Sequence, residues 1–291
     1  MPRGSCPVTE ASGSAPDDRY REGVPEGDTL TRTARSLDTA LAGRRLTRLD
    51  LVRLAAAKPA AGTEITSVEA RGKHLLVHFG DGRSLHTHLQ MHGSWHLYRV
   101  GEPWRRSRGQ ARVVLEVDDG TVAVCFAAPT VEMLDPRRPR RAAAGLDSLG
   151  PDLCRADVDL DEVLRRLERL DPSIEIASAL LDQRIAAGIG NVYKSEVCFA
   201  CGVDPVTPLA ALDTAARRAL YERAGTLLRA NLGRAHRVTT SGGLAVYGRA
   251  GNACRRCGTR IRRRQQGAPA RSTYWCPTCQ PAAASANTLP R

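Results

Sequence analysis

Leu30, Ala34, Leu37 and Leu41 recur at the spacing that gathers side chains on one face of an α-helix. The pattern predicts a helix capped by Asp28 or Thr29 and ended by Gly43. Beyond it the period shortens. Residues 45–51, 65–70, 74–79, 84–89, 95–99, 112–117 and 122–126 read as strands. Gly80-Asp81-Gly82 and Asp118-Asp119-Gly120 supply tight turns between them. Many short strands with such turns predict an antiparallel β-sandwich. After the turn Leu149-Gly150-Pro151-Asp152 the helical period returns over 159–170, 176–185, 192–201 and 212–232. Gly188-Ile189-Gly190-Asn191 forms a hinge before the third of these helices.

These shifts divide the chain into an extension (1–24), a β-sandwich with an N-terminal helix (25–136), a basic, proline-punctuated linker (137–152), a helical domain (153–245), a cysteine module (246–280) and a tail (281–291). The fold class is α+β and multidomain. The first 24 residues mix Pro, Gly, Ser and charge without periodicity and read as disordered or untranslated.

A formal net charge of +12 and a pI near 9.7 point to a polyanionic partner, with nucleic acid ahead of an acidic membrane surface. No stretch has the roughly 20 apolar residues of a membrane span. The N-terminal residues lack a secretory apolar core, and their acidic residues argue against a transit peptide, so a cytoplasmic, nucleoid-associated location is expected. In that compartment nine cysteines read as thiols and metal ligands rather than disulfides.

Cys254-x2-Cys257-x18-Cys276-x2-Cys279 matches a closed tetrahedral zinc site with four thiolates, a structural ion rather than a catalytic one. Arg255 and Arg256 within the first pair, and Arg260, Arg262, Arg263, Arg264 and Arg271 between the pairs, supply the charge that a phosphate-contacting β-hairpin would require. Cys198 and Cys201 have no partner pair and read as buried structural thiols. His74, His78, His86 and His88 share strand period two and read as core or DNA-facing histidines. The 188–191 hinge admits two readings. Its amides and Asn191 could meet a phosphate, or Asn191 could simply cap the next helix.

Pro25-Glu26-Gly27-Asp28 acquires meaning only if Pro25 is the mature amino terminus. An N-terminal α-nitrogen titrates near ~8 and is therefore partly nucleophilic at neutral pH. Attack on C1′ of a nucleotide would expel the base and leave an iminium that permits strand cleavage by elimination. Glu26 could then move protons to and from the sugar, and Lys73, one of three lysines, could stabilise charge and protonate the departing base. A start at Val24, with its methionine removed, would expose Pro25.

Taken together these stretches resemble the formamidopyrimidine-DNA glycosylase/endonuclease VIII family across residues 25–280. Pro25-Glu26-Gly27 resembles its amino-terminal catalytic motif and Arg71-Gly72-Lys73-His74 the strand of its catalytic lysine. His88-Leu89-Gln90-Met91-His92-Gly93 resembles the void-filling loop, and Asp135-Pro136-Arg137-Arg138 the loop facing the unpaired base. Residues 188–196 resemble the helix–two-turn–helix with its phosphate-binding asparagine, here Asn191. Residues 254–279 resemble the zinc finger, whose phosphate-gripping arginine falls at Arg271.

The resemblance implies a bifunctional DNA glycosylase and abasic-site lyase of base excision repair, acting as a monomer on damaged DNA with the lesion base flipped out. Pro25, Glu26, Lys73 and Arg271 would be catalytic. Gln90, Met91, His92, Arg137, Asn191 and Arg271 would hold DNA, with Met91 as the apolar wedge. Pro-Glu-Gly-Asp and Gln90-Met91 lean to the endonuclease VIII branch and oxidised pyrimidines. The chain departs from the pattern at Thr29, where many relatives have glutamate, and at Pro139, where an aromatic is common. Two rival readings are a non-catalytic binder of damaged or abasic DNA, should Pro25 lie inside the mature chain, and a zinc-ribbon adaptor unrelated to repair.

Overall fold

The computed structural model describes residues 25–52, 57–137, 144–267 and 269–282. The 1–24 extension, Arg138, Pro139 and most of the 281–291 tail lie outside them. Helix α1 (Gly27–Leu41) buries Leu30, Ala34, Leu37 and Leu41, the predicted stripe, against strand β2 (Ile65–Arg71). Each leucine so buried contributes roughly 1.5–3 kcal/mol. The helix begins two to three residues earlier than its pattern suggests. Glu26 is its N-cap residue, extended at φ −126°, yet the Glu26 side chain makes no capping bond to α1.

Two four-stranded antiparallel sheets face each other. One runs β1 (Leu46–Leu51), β6 (Ala111–Val117), β7 (Thr121–Phe126), β5 (Ser94–Arg99), and the other β2, β3 (His74–Phe79), β4 (Ser84–His88), β8 (Thr130–Leu134). Leu75, Val77, Leu85, Val113, Leu115 and Ala123 meet in the core between them. Strand β8 escapes the hydrophobic pattern because only Val131 of Thr130–Leu134 is buried. Register with β4, His86 opposite Glu132, places it instead.

The helical half comprises α2 (Ala144–Asp147), α3 (Leu160–Leu167), α4 (Ile176–Leu181), α5 (Asn191–Ala200) and α6 (Thr214–Ala230). Carboxylates trim the ends that periodicity overran. Asp159 caps α3 by accepting from the Glu162 amide (2.9 Å), and Asp213 caps α6 by accepting from that of Ala216 (2.7 Å). Helix α4 stops at Leu181 rather than 185 because Asp182 turns extended and accepts from the Arg184 amide (2.9 Å). Strands β9 (Arg262–Gln266) and β10 (Arg271–Trp275) form the terminal hairpin, and β10 lies against α5. Cys198 and Cys201 sit at the end of α5, where burial pushes both thiols up, as structural thiols require.

Glu196, inside α5 and buried, ties this helix to the approach of the hairpin. Its carboxylate accepts from the amides of Ala245 (2.8 Å), Val246 (2.9 Å) and Tyr247 (2.8 Å), and from the Thr239 hydroxyl. Replacing it strands those buried donors. Glu196→Ala is expected to lower stability by about 3 kcal/mol or more, read as a clear fall in the thermal melting midpoint. An unchanged midpoint would contradict this role.

Candidate nucleic-acid and active site

The two halves meet at the first residues of α1. Gly27 donates its amide to the Gly188 carbonyl (2.9 Å), and a Cβ at Gly27 would stand 2.7 Å from Gly188 Cα. This approach carries Glu26, fully buried, onto the N-terminus of α5. Glu26 Oε2 accepts from the Gly190 amide (2.9 Å) and the Tyr193 amide (3.3 Å), and Oε1 accepts from that of Val192 (2.7 Å). Helix α5 has no capping side chain of its own, so a carboxylate from the sandwich half closes it. Neither reading of the 188–191 hinge survives unchanged. Its Gly190 amide is spent on Glu26 and its Gly188 amide on Gln183 Oε1 (3.1 Å), and the N-cap residue is Gly190, not Asn191.

Pro25, half-buried, immediately precedes this anchored residue. The next residue but one is anchored as firmly. Asp28 is buried and accepts from Arg237 Nε (2.8 Å), Arg237 Nη2 (2.6 Å) and the Tyr193 hydroxyl (3.0 Å). Bidentate pairing with guanidinium resists rotation as well as separation. Thr29 adds an acceptor to the same Arg237 Nη2 (2.8 Å).

Lys73 stands in the β2–β3 turn. Gly72, at φ +58°, makes that turn possible, and a Cβ there would also strike the Ala187 side chain. Its amide donates to Asp152 Oδ2 (2.7 Å), which pins the lysine turn to the helical half. Burial pushes the Lys73 ammonium down to about 8. Glu26 opposes that fall, whereas Arg271 and Arg237 reinforce it. Lys73 therefore shares one electrostatic site with residues from α1, β10 and the segment after α6.

The imidazoles behind Lys73 form a row. His86 Nδ1 lies 3.0 Å from Glu132 Oε2, and His86 Nε2 lies 2.8 Å from His74 Nδ1. Desolvation, then neighbouring cationic groups, depress His74 to about 3 and His88 to about 4. These are sheet-face histidines. Among the described residues, the side chains gathered closely enough to share a metal ion are the four cysteines.

On the exposed side, Met91 keeps 63% of its surface in water, a costly position for a thioether without a partner. Gln90 and His92 flank it, exposed, with Gln90 in the left-handed region at φ +48°. Arg106 braces the loop by donating to the His92 carbonyl (3.1 Å) and Ser94 Oγ (2.7 Å). Arg137 is exposed at the end of the described segment, its amide donated to Asp135 (2.9 Å).

Asn191 is half-buried and donates from Nδ2 to the Ser272 carbonyl (2.8 Å), next to exposed Arg271 at the head of β10. The sulfurs of Cys254, Cys257, Cys276 and Cys279 lie within 4.8 Å of one another, with pairs at 3.9 Å and 3.5 Å. Tetrahedral thiolates at about 2.3 Å from zinc stand about 3.8 Å apart, so the four cysteines fit that ion.

The site residues that sequence reasoning missed are Arg237, Tyr193, Asp152 and Lys194. Asp28 was left without a role. Their partners lie up to 209 positions away, so no local pattern marks them.

A sandwich carrying this turn lysine, followed by a helix–two-turn–helix half and a four-cysteine hairpin, is the architecture of a DNA-repair glycosylase. The chain matches the formamidopyrimidine-DNA glycosylase N-terminal domain over residues 24–141, the H2TH domain over 149–241 and the zinc finger found in FPG and IleRS over 251–282. It is 46% identical to a probable endonuclease 8 2 of Streptomyces coelicolor, over 88% of this chain and 94% of that protein. It is 41% identical to the DNA-(apurinic or apyrimidinic site) lyase Nei2 of Mycolicibacterium smegmatis, over 89% and 100%. A Lactococcus lactis formamidopyrimidine-DNA glycosylase bound to DNA containing an abasic site shares the fold at a TM-score of 0.73 and 22% identity, covering 88% of this chain and 99% of that one. The chain belongs to the formamidopyrimidine-DNA glycosylase/endonuclease VIII family.

Gly190 tests the geometry of the seam. A Cβ there would come to 2.5 Å from both Glu26 Cγ and Oε1. Gly190→Ala is expected to displace the carboxylate and to lower abasic-site cleavage at least about a hundredfold, in line with a ~1 Å misplacement of reacting groups. Full cleavage by this variant would show that Glu26 need not stand where it does.

Proposed function

We propose that this member of the family removes oxidised pyrimidines from DNA and nicks the resulting abasic site through a Schiff base on Pro25. The observation that carries this reading is that Lys73, pushed down to about 8 by burial, lies within electrostatic reach of Arg271 and of Glu26, the residue next to Pro25.

In this mechanism the Pro25 nitrogen attacks C1′, the C1′–base bond breaks, and Lys73 gives its proton to the departing base. Glu26 Oε1 accepts a single amide bond, so it retains acceptor capacity and can take protons from the sugar. The C1′–O4′ bond then opens, O4′ taking a proton, and the iminium so formed acidifies the C2′ proton, whose loss expels the 3′ phosphate by elimination. Asn191 and Arg271 hold the flanking phosphates. Met91, with Gln90 and His92, enters the void left by the flipped base, and Arg137 meets the unpaired partner.

A single structural zinc would hold the hairpin that presents Arg271. The enzyme works as a monomer on nucleoid DNA in the cytoplasm. The pyrimidine preference rests on Pro25-Glu26-Gly27-Asp28 and Gln90-Met91, and similarity to an endonuclease 8 and an abasic-site lyase supports the branch and the nicking step.

Protein beginning at Pro25 is expected to cut a duplex carrying 5-hydroxycytosine or dihydrouracil faster than one carrying 8-oxoguanine. Protein retaining residues 1–24 is expected to bind abasic DNA without cutting it. Equal cutting by both forms would exclude the proline mechanism and favour a binder that cuts by other means.

The pH profile supplies an independent check. A lysine whose folded value has fallen to about 8 loses its proton as pH rises through that point. If Lys73 is the acid, base excision declines above pH ~8, and Lys73→Arg, slower overall, loses that alkaline limb. A rate that climbs through pH 8 alike in the parent and in Lys73→Arg would show that Lys73 is not the acid, since deprotonation of the Pro25 nitrogen alone gives such a rise. Removal of zinc by a chelator is expected to abolish most duplex affinity, and undiminished binding would contradict the role given to the hairpin.

A further inference from the structure

Lys194 is a buried cation that the mechanism above does not use. It lies in the second turn of α5 and is 1% exposed. Its Nζ donates to Asn191 Oδ1 (2.6 Å), Thr273 Oγ1 (2.7 Å) and, at 3.4 Å, the Ser272 carbonyl. All three ammonium protons therefore have acceptors, yet none of these is charged. No carboxylate among the described residues forms an ion pair with Lys194. An unpaired ammonium in such a place is costly. Burial accordingly holds it down to about 8, with Arg271 and Arg264 acting the same way and Cys198 and Glu26 acting against them.

Its geometry limits what Asn191 can do. An asparagine amide can rotate to exchange oxygen and nitrogen. Here Oδ1 must accept from the ammonium, so Nδ2 must point outward as a donor. One Nδ2 proton goes to the Ser272 carbonyl (2.8 Å), and the other lies toward the Tyr247 hydroxyl, where a ligand can share it. The same lysine bolts α5 to β10, whose first residue is Arg271. Lys194 and Arg271 line a common pocket of about 210 Å³ with Ser178 and Gln266, and Gln266 Oε1 is buried there without a partner. Asp182, also on its wall, is neutralised by Arg184 (2.6 Å).

We infer that Lys194 is the positioning residue of the phosphate clamp: from beneath, its ammonium fixes the Asn191 amide as a donor, sets the spacing of Asn191 and Arg271, and adds a positive charge that the DNA backbone completes. The missing counter-ion of the lysine is then the phosphate itself. The inference rests on the reading of Asn191 and Arg271 as phosphate ligands, and the test separates the two.

Full-length chains are compared by fluorescence anisotropy on a duplex containing a tetrahydrofuran abasic-site analogue, over a range of salt. Because the readout is binding, it does not depend on Pro25. Asn191→Ala is expected to weaken binding, and Lys194→Met to weaken it about tenfold to a hundredfold. The Lys194→Met slope of log affinity against log salt should be shallower by up to about one. Its melting midpoint should not fall by more than about 2 °C, because methionine removes an unpaired charge from the interior. Lys194→Gln, which keeps a donor for Asn191 without the charge, should recover part of the affinity but not the salt slope. The Asn191→Ala and Lys194→Met losses should be less than additive in the double variant.

Parental affinity and slope in Lys194→Met, with Asn191→Ala impaired, would overturn the inference alone. Parental binding by Asn191→Ala would overturn the phosphate reading and the inference together. Should Lys194→Met fail to fold, Lys194→Gln carries the test, with a parental salt slope counting against the inference.

Discussion

A buried carboxylate on one half of the molecule closes the open end of a helix on the other. Glu26 stands outside water with both oxygens committed to amides at the N-terminus of α5. Such a charge is tolerated only because those donors and the helix dipole replace its hydration. The exchange is mutual, since α5 has no capping side chain of its own. Because Glu26 is also the N-cap residue of α1, the bond fixes where α1 begins, and thus where the Pro25 ring sits.

The remaining contacts across the seam act in the same sense. Asp28 and Arg237 lock the first turn of α1 to the segment after α6, and Asp152 holds the Gly72 amide and so the Lys73 turn. Bare backbone at Gly27 and Gly188 lets the halves approach closely. The sandwich half carries Pro25, Glu26 and Lys73, and the helical half supplies donors that orient Glu26 and, through Asp152, the Lys73 turn. In the proposed mechanism grip on DNA falls to α5 and β10, which Asn191 and Lys194 join. The cationic groups that crowd Lys73 also favour its neutral form, so under that mechanism one set of charges would both attract the polyanion and tune the acid.

Periodic features were legible before any coordinates. The α1 stripe, seven of the eight sandwich strands and the cysteine spacing each follow from local rules of helix, strand and metal geometry. Strand β8 was not, because Thr130–Leu134 offers only Val131 to the core and is placed by pairing with β4. The Pro25-Glu26-Gly27 motif announced chemistry but not the capping role of Glu26. That role depends on amides more than 160 positions away. Arg237 and Lys194 were illegible for a related reason, since an arginine in a loop and a lysine within a helix look like solvated surface until the chain folds over them.

The account stands on the ring nitrogen of Pro25 as the attacking atom, and chemical capture of the intermediate addresses this most directly. Protein starting at Pro25 is mixed with abasic-site DNA, reduced with borohydride and digested, and the cross-linked peptide is sequenced by mass spectrometry. The account predicts that the sugar is attached to the nitrogen of Pro25 in every trapped molecule. A sugar found instead on Lys58, Lys73 or Lys194 would contradict it.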